Sequence, residues 1–417
     1  MQRRVVVTGL GAVTPIGNNV SDFWDGLISG RNGVDLISKF DTSKFTVKFA
    51  AEVKNFDPGL FIERKSLSRL DPFTQYAVSA SEMALQDSKI DLNKIVPERF
   101  GVLLGSGIGG IKALHDQFKQ YYVTTQEDPK RISPFFITML IADIAPGYVS
   151  IRYGLKGPNY ATTSACASGS HAIADAFMLI QRGSADIMFC GGSEAAISEL
   201  GVGGFSSMRA LSTWNDRYTE ASRPFDKERN GFVMGEGSGV IILEELEHAL
   251  TRGAQIYCEV GGVGLTGDGY HITAPDPEGY GAQRSMLEAI KDAGLSATDI
   301  DYINAHGTST PLNDVTETNA IKSVFGDHAY KLVVSSIKSM TGHLLGAAGG
   351  IEAIATALSV ENDLIPPTIN YSVPDPECDL NYSPNAPTKK VINTAISNTF
   401  GFGGHNASIL FKKFKES

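Results

Sequence analysis

The sequence predicts a layered α/β protein built from two similar halves. Short apolar runs rich in β-branched residues alternate with longer helical patterns along most of the chain. Those runs lack polar alternation, as strands covered on both faces do. In addition, one arrangement occurs twice. Thr162-Thr163-Ser164-Ala165-Cys166 leads into a small-residue helix and then a strand ending at Gly191-Gly192. Val334-Ser335-Ser336-Ile337 leads through Ser339-Met340-Thr341-Gly342-His343 into another small-residue helix.

In the first half the strand pattern covers Arg4–Thr8, Phe100–Leu104, Ile187–Cys190 and Val240–Leu243. In the second it covers Cys258–Val263, Tyr302–Ala305, Val333–Ser336, Thr394–Ser397 and Ala407–Phe411. Helical periodicity marks Asp71–Gln86, Ser168–Arg182, Gln283–Ala293, Asp314–Phe325 and Gly346–Val360. The seam falls near Leu246–Cys258, giving halves 1–252 and 253–417 that share an interface, since no Pro- or Ser-rich linker divides them.

Composition narrows the function classes. The 417 residues are 42% hydrophobic and 20% charged, a globular balance. A formal net charge of −10 argues against general nucleic-acid binding, and any acidic partner must meet a local basic patch. The four cysteines, Cys166, Cys190, Cys258 and Cys378, show no metal-ligand spacing and are too few for a disulfide scaffold, which favours a reducing compartment. The opening run, Met1-Gln2-Arg3-Arg4-Val5, carries no cleavable signal pattern, and no stretch reaches the roughly 18 to 20 apolar residues of a membrane span. The expected location is the cytoplasm, or an organelle matrix after removal of a transit peptide.

Ser164-Ala165-Cys166-Ala167-Ser168-Gly169 is the first chemical candidate. A thiol at the start of a buried helix faces unpaired backbone N–H groups and the positive end of the helix dipole, which favour the nucleophilic thiolate. Small neighbours leave room for a bulky acyl group. The same cysteine also reads as an inert buried residue. Asn304-Ala305-His306-Gly307-Thr308-Ser309-Thr310 follows a strand and precedes a helix, where α/β proteins bind ligands, or is a surface turn. Before His343 stands Lys338, and Glu352 is the one acid of the apolar helix that follows. If buried it needs a partner, and Lys338 is the obvious one; otherwise it lies on an exposed face. Ser397–Asn406 combines three glycines with Phe400 and Phe402, fitting a mobile loop over an apolar pocket or a tight turn before a strand.

Together these motifs resemble the β-ketoacyl-acyl-carrier-protein synthases of fatty-acid elongation, within the thiolase-like superfamily, and most closely the type II synthases (KAS II). The resemblance rests on Val6–Gly11, Gly105–Gly110, Thr163–Gly169, Ser222–Asp226, His306–Thr310, Lys338–His343 and Asn398–Asn406, in family order over essentially the whole chain. Degradative thiolases place a second cysteine near the C-terminus, whereas this chain has Gly401-Phe402-Gly403-Gly404-His405-Asn406 there.

The resemblance implies a five-layered α-β-α-β-α body of two duplicated halves, assembled as a homodimer. It implies that Cys166 accepts the acyl group and that His306 and His343 support decarboxylation of malonyl-carrier and hold the enolate oxygen. Lys338 and Glu352 would hold that network. The backbone N–H groups of Phe402 and Cys166 would form the oxyanion hole, with Phe402 gating. Thr308, Thr310, Ile108 and Phe400 would contact substrate. Acyl carrier protein would be the partner, docking on Lys65, Arg69, Lys130, Arg131 and Arg209; Ser68 interrupts that basic stretch. No redox cofactor is required, and some relatives carry a structural Na+ or K+ at the equivalents of Asn304, Glu352, Ser397 and Asn398. His405 stands where relatives often have a small hydroxyl residue. A polyketide-type ketosynthase shares the same Cys-His-His set. A non-catalytic chain-length partner is disfavoured by the intact Cys166.

Overall fold

A computed structural model describes residues 3–415; Met1 and Gln2 of the opening run lie outside them. Ten strands form the main sheet, in chain order: β1 (Val5–Val13), β2 (Phe100–Gly105), β3 (Asn159–Thr162), β4 (Ile187–Glu194), β5 (Gly237–Glu245), β6 (Cys258–Gly267), β7 (Tyr302–Asn304), β8 (Val333–Ser335), β9 (Thr394–Gly401) and β10 (His405–Lys412). Six helices occupy the main crossovers: α1 (Pro72–Ser88), α2 (Ile144–Tyr153), α3 (Ser168–Gln181), α4 (Tyr280–Asp292), α5 (Pro311–Phe325) and α6 (Ala348–Asn362).

The ladder order is β8-β7-β9-β10-β6-β1-β5-β4-β2-β3. Adding five to each strand number of β1-β5-β4-β2-β3 gives β6-β10-β9-β7-β8, so the second half repeats the first. The directions repeat too: β2 runs parallel to β3 and β4, and β7 runs parallel to β8 and β9. β5 is antiparallel to β4 and β1, as β10 is to β9 and β6. The halves join where Val5, Val6 and Val7 pair with Val260, Glu259 and Cys258.

Helices α3 and α6 touch strands of both halves, so the two halves of the sheet enclose them. α1 and α2 cover the outer face of the first half, α4 that of the second, and α5 packs on α4. The result is the expected α-β-α-β-α stack. The core follows these layers. Ile173, Phe177, Ile351 and Ile354 lie in the central body; Phe73, Val78, Val149 and Phe189 in one outer body; Met286, Ile290, Ile321 and Ile396 in the other. Every side chain of α6 from Ala348 to Val360 is buried, as expected of a helix with no polar face to give to water. α6 comes so close to α3 that a Cβ on Gly349 would sit 2.4 Å from the Ser170 backbone nitrogen.

The two ends of the ladder differ. At β8 the Val334 N–H donates to the Asn381 carbonyl at 2.8 Å, so a following segment covers that edge. At β3, Asn159 and Tyr160 are exposed. This strand had no sequence expectation, because four residues with polar ends give neither an apolar run nor alternation.

Candidate active site

Cys166 follows β3 by four residues and precedes the first turn of α3. Ala165 before it has a φ of 50°, a left-handed backbone that turns the thiol inward at a cost of about 1–2 kcal/mol. The Ser168 hydroxyl holds this turn, donating to the Ala165 carbonyl at 2.6 Å and accepting from the Ser164 N–H at 2.9 Å.

The second half supplies both histidines. His306 leaves the end of β7, its backbone N–H and that of Gly307 held by the buried Glu317 carboxylate at 2.9 and 2.8 Å. His343 is tied at its backbone to Val233 (2.7 Å) and Gly235 (2.8 Å). Its Nε2 lies 3.0 Å from the Cys166 Sγ, and the two imidazoles meet edge to face with centroids 5.3 Å apart. All three side chains are buried. The sequence candidates Cys166, His306 and His343 therefore meet in one place.

The tautomer of His343 follows from its neighbours. The Leu345 backbone N–H donates to Nδ1 at 3.3 Å, so the proton of the neutral ring sits on Nε2 and points at the sulfur. Burial and the Lys338 charge hold His343 well below its ordinary pKa; burial, Lys338 and His343 do the same to His306. Both rings are thus neutral N–H donors near pH 7. The donor atoms of Cys166, His306 and His343 lie within 4.8 Å of one another, a spacing that also suits a soft metal. A protonated Nε2 cannot ligate, so this geometry favours donation to an oxyanion.

The helix-tip argument for a ready thiolate needs correction. Burial pushes the Cys166 thiol up to about 11, against the opposing pull of Lys338 and of the backbone N–H groups of Phe402 and Cys166. Desolvation outweighs the dipole. With its pKa raised to about 11, Cys166 rests as a thiol near pH 7.

Lys338 and Glu352 are buried and bonded to each other, Nζ to Oε1. Burial pushes the Glu352 carboxyl up to about 7, with the Lys338 ammonium acting against it. Ser222 donates to the Lys338 carbonyl at 2.6 Å, which fixes the lysine's backbone.

Cys166, His306 and His343 line a cleft of about 410 Å³. Phe400, Gly401 and Phe402 form part of its wall, and Thr308 and Thr310 line it with their hydroxyls 2.9 Å apart. A Cβ on Gly401 would meet the Ser164 carbonyl oxygen at 3.0 Å and the Cys166 nitrogen at 3.2 Å, so only glycine lets the loop rest on the nucleophile turn without displacement. Ile108 does not line this cleft; its N–H donates to Glu194 at 3.3 Å. Of the docking candidates, Arg209 lines the cleft. Lys65, Arg69, Lys130 and Arg131 are exposed outside it, Lys65 paired with Glu63 at 2.8 Å and Arg69 stacked 4.8 Å over Phe135.

Several supporting groups had no expectation from the sequence. Arg229 donates to the Thr310 and Pro311 carbonyls at 3.3 and 3.2 Å and to Asp375 at 2.6 Å. Asp314 accepts from the Phe225 N–H at 2.8 Å. Together with Glu317 they brace the His306 loop. None of them stands out in the sequence: Arg229 ends the charged run Asp226–Arg229, and Asp314 and Glu317 lie in a polar stretch of α5.

Comparison with known proteins agrees with this geometry. The model described as beta-ketoacyl synthase, N-terminal domain, matches residues 2–249, and beta-ketoacyl synthase, C-terminal domain, matches 257–372. A 3-oxoacyl-[acyl-carrier-protein] synthase 2 of Synechocystis sp. is 55% identical over 414 residues, 99% of each chain. One of Staphylococcus aureus is 52% identical over 413 residues, again 99% of each. The crystal structure of a beta-ketoacyl synthase from Burkholderia phymatum superposes over 100% of both chains with a TM-score of 0.92 at 35% identity. A type II polyketide ketosynthase, in complex with its acyl-carrier protein and bound to the hexaketide, does so with 0.92 at 36%.

Proposed function

The chain belongs to the β-ketoacyl synthase family, and on that premise we propose how its residues divide the work of condensation. Its activity is 3-oxoacyl-[acyl-carrier-protein] synthesis, the acyl transfer that elongates fatty acids by two carbons. The polyketide reading draws on a structural neighbour at 36% identity, against 55% for the fatty-acid relative from Synechocystis.

In the first step the Cys166 sulfur attacks the thioester carbonyl of acyl-carrier. The oxygen takes the negative charge opposite the Phe402 and Cys166 N–H groups, and the carrier thiol leaves with the proton. In the second step malonyl-carrier loses CO2. The electron pair of the broken C–C bond becomes an enolate, whose oxygen accepts hydrogen bonds from the neutral His306 and His343. The enolate carbon attacks the acyl-Cys166 carbonyl, the C–S bond breaks with its electron pair passing to the Cys166 sulfur, which takes a proton from solvent, and the 3-oxoacyl thioester departs. The observation that carries this reading is the 3.0 Å contact between the Cys166 Sγ and a His343 Nε2 whose proton is fixed by Leu345. Mixing the protein with acyl- and malonyl-carrier and following intact mass tests it: acyl-Cys166 forms first, then free 3-oxoacyl-carrier. Product formation without acyl-Cys166 would overturn the assignment.

Acyl carrier protein is the proposed partner, with Arg209 at the cleft as its nearest basic contact. A homodimer through the β3 edge is supported by the exposure of Tyr160 on that strand and of Ile151 and Met178 on the helices beside it. No helix among the described residues is long and apolar enough to cross a membrane. The cytoplasmic location remains a proposal that cell fractionation tests.

The chain's residues also fit the monovalent cation carried by some relatives. Asn304 Oδ1, Glu352 Oε2 and Ser397 Oγ are buried without a hydrogen-bond partner. Asn304 and Ser397 pair across β7 and β9, and the Asn304 amide bonds the Glu352 carbonyl at 3.1 Å, so the three residues adjoin. Hard oxygen donors of this kind suit Na+ or K+. Asn398 turns its side chain away, accepting from Ser408 at 2.8 Å. Bound there, the cation would offset the buried Glu352 charge.

A further inference from the structure

Glu194 ends β4 and is fully buried, yet the reaction described above gives it no part. Its Oε2 accepts from the Gly107 N–H at 2.7 Å and the Gly346 N–H at 3.0 Å. Its Oε1 accepts from the Ser106 hydroxyl at 3.0 Å and the Ile108 N–H at 3.3 Å. Four donors on two separate loops thus converge on one carboxylate. The two central strands β4 and β9, each eight residues long, end at corresponding places: Glu194 and Gly401. Gly401 rests on the turn that presents Cys166, and Glu194 grips the turn that follows His343.

The second turn needs holding. Leu345 has a φ of 50°, the same left-handed strain as Ala165 before Cys166. Gly346, the residue Glu194 binds, comes next, and a Cβ there would meet the Gly107 nitrogen at 2.2 Å. The strained Leu345 is also the residue whose N–H fixes the proton of His343. A chain of contacts therefore runs from the Glu194 carboxylate through Gly346 and Leu345 to His343 Nδ1, and from its Nε2 to the Cys166 sulfur.

We propose that Glu194 is a positioning residue for decarboxylation and condensation, holding Leu345 in the conformation that keeps the His343 proton on Nε2. The proposal rests on the condensing reading of the site. It predicts a split between half-reactions, since loading of Cys166 needs the thiol and the oxyanion hole, whereas decarboxylation needs the His343 N–H. Burial pushes the Glu194 carboxyl up to about 7, against its four hydrogen bonds. The groups around it are Cys166 on the turn before α3 and His343 on the turn before α6, with the Lys338–Glu352 pair beyond. Glu317 and Glu352 are also pushed by burial to about 7, so an acid limb in the wild-type rate profile needs assignment by variant.

The test uses the full-length enzyme and its Glu194→Gln and Ser106→Ala variants. Acyl loading is read by intact mass, malonyl-carrier decarboxylation by CO2 release, and wild-type condensation is measured alongside. In Glu194→Gln, decarboxylation kcat falls by about tenfold or more with KM unchanged while loading stays within about twofold. If that variant does not fold, Ser106→Ala decides. Loss of one donor to the carboxylate raises its pKa, so the acid limb of decarboxylation moves to higher pH, and neither Glu317 nor Glu352 bonds Ser106 to cause this. Loading and decarboxylation falling together with stability in Glu194→Gln, or an unmoved limb in Ser106→Ala, would overturn the positioning role. Failure of the wild type to condense at all would instead sink the reading beneath it.

Discussion

His343 Nε2 stands 3.0 Å from Cys166 Sγ although 177 residues separate them in the chain. Since the Leu345 N–H places the ring proton on Nε2, the proposed reaction uses His343 as a donor to anions and not as the base that strips the thiol. His343→Ala is therefore expected to lower malonyl-carrier decarboxylation by about 10²–10³-fold, the usual loss for one oxyanion donor, while Cys166 is still acylated. Parallel intact-mass and CO2-release assays check this, and loss of acylation to the same degree would refute it.

The state of the thiol gives a second expectation. With the pKa of Cys166 pushed up to about 11, iodoacetamide alkylation should rise about tenfold per pH unit from pH 7 to 9 without a plateau. Lys338→Met removes the charge that favours the anion and should slow alkylation at every pH in that window. A plateau near pH 7 would mean that the helix tip outweighs burial after all.

A third concerns the buried pair. Lys338→Met leaves the Glu352 carboxylate buried without its partner, which costs about 3–5 kcal/mol in urea unfolding. Adding Glu352→Gln should restore most of it, because a neutral amide carries no uncompensated charge. Equal stability of the single and double variants would contradict this.

Gly401→Ala tests the contact between the two loops. Its Cβ would press on the Ser164 oxygen and the Cys166 nitrogen at 3.0 and 3.2 Å, displacing the proposed oxyanion donors. Acyl loading of Cys166 should fall by about tenfold, with thermal stability nearly unchanged. Loading at the wild-type rate would show that the loop adjusts at no cost.

For the proposed cation, the melting temperature should be higher in NaCl or KCl than in choline chloride of equal ionic strength. Asn304→Ala should remove the difference. Equal melting of the wild type in all three salts would exclude the site.

Much of this architecture was legible because burial on both faces leaves a plain mark. The unbroken apolar runs of β4 and β5 and the small-residue faces of α3 and α6 announced the layers, and the repeated turn-to-helix pattern announced the duplication. Cys166, His306 and His343 could be named because each stands among small or hydroxyl residues at a predicted element end. What the chain did not disclose was charge in context. Glu194, Glu317 and Arg229 act through backbone donors and carbonyls supplied by remote loops, and no local spacing encodes such partners. The balance at Cys166 was hidden for a related reason. The helix tip is visible in sequence, whereas the depth of burial that overrides it arises only when both halves close over the sulfur.

The unequal ends of the ladder have a consequence for assembly. A duplicated chain that left both terminal strands bare could add copies end to end and grow into a filament. The backbone cap that Asn381 places on Val334 removes one of those growth points. With β3 as the bare edge, the proposed self-pairing about a two-fold axis would exhaust it, and association would stop at two.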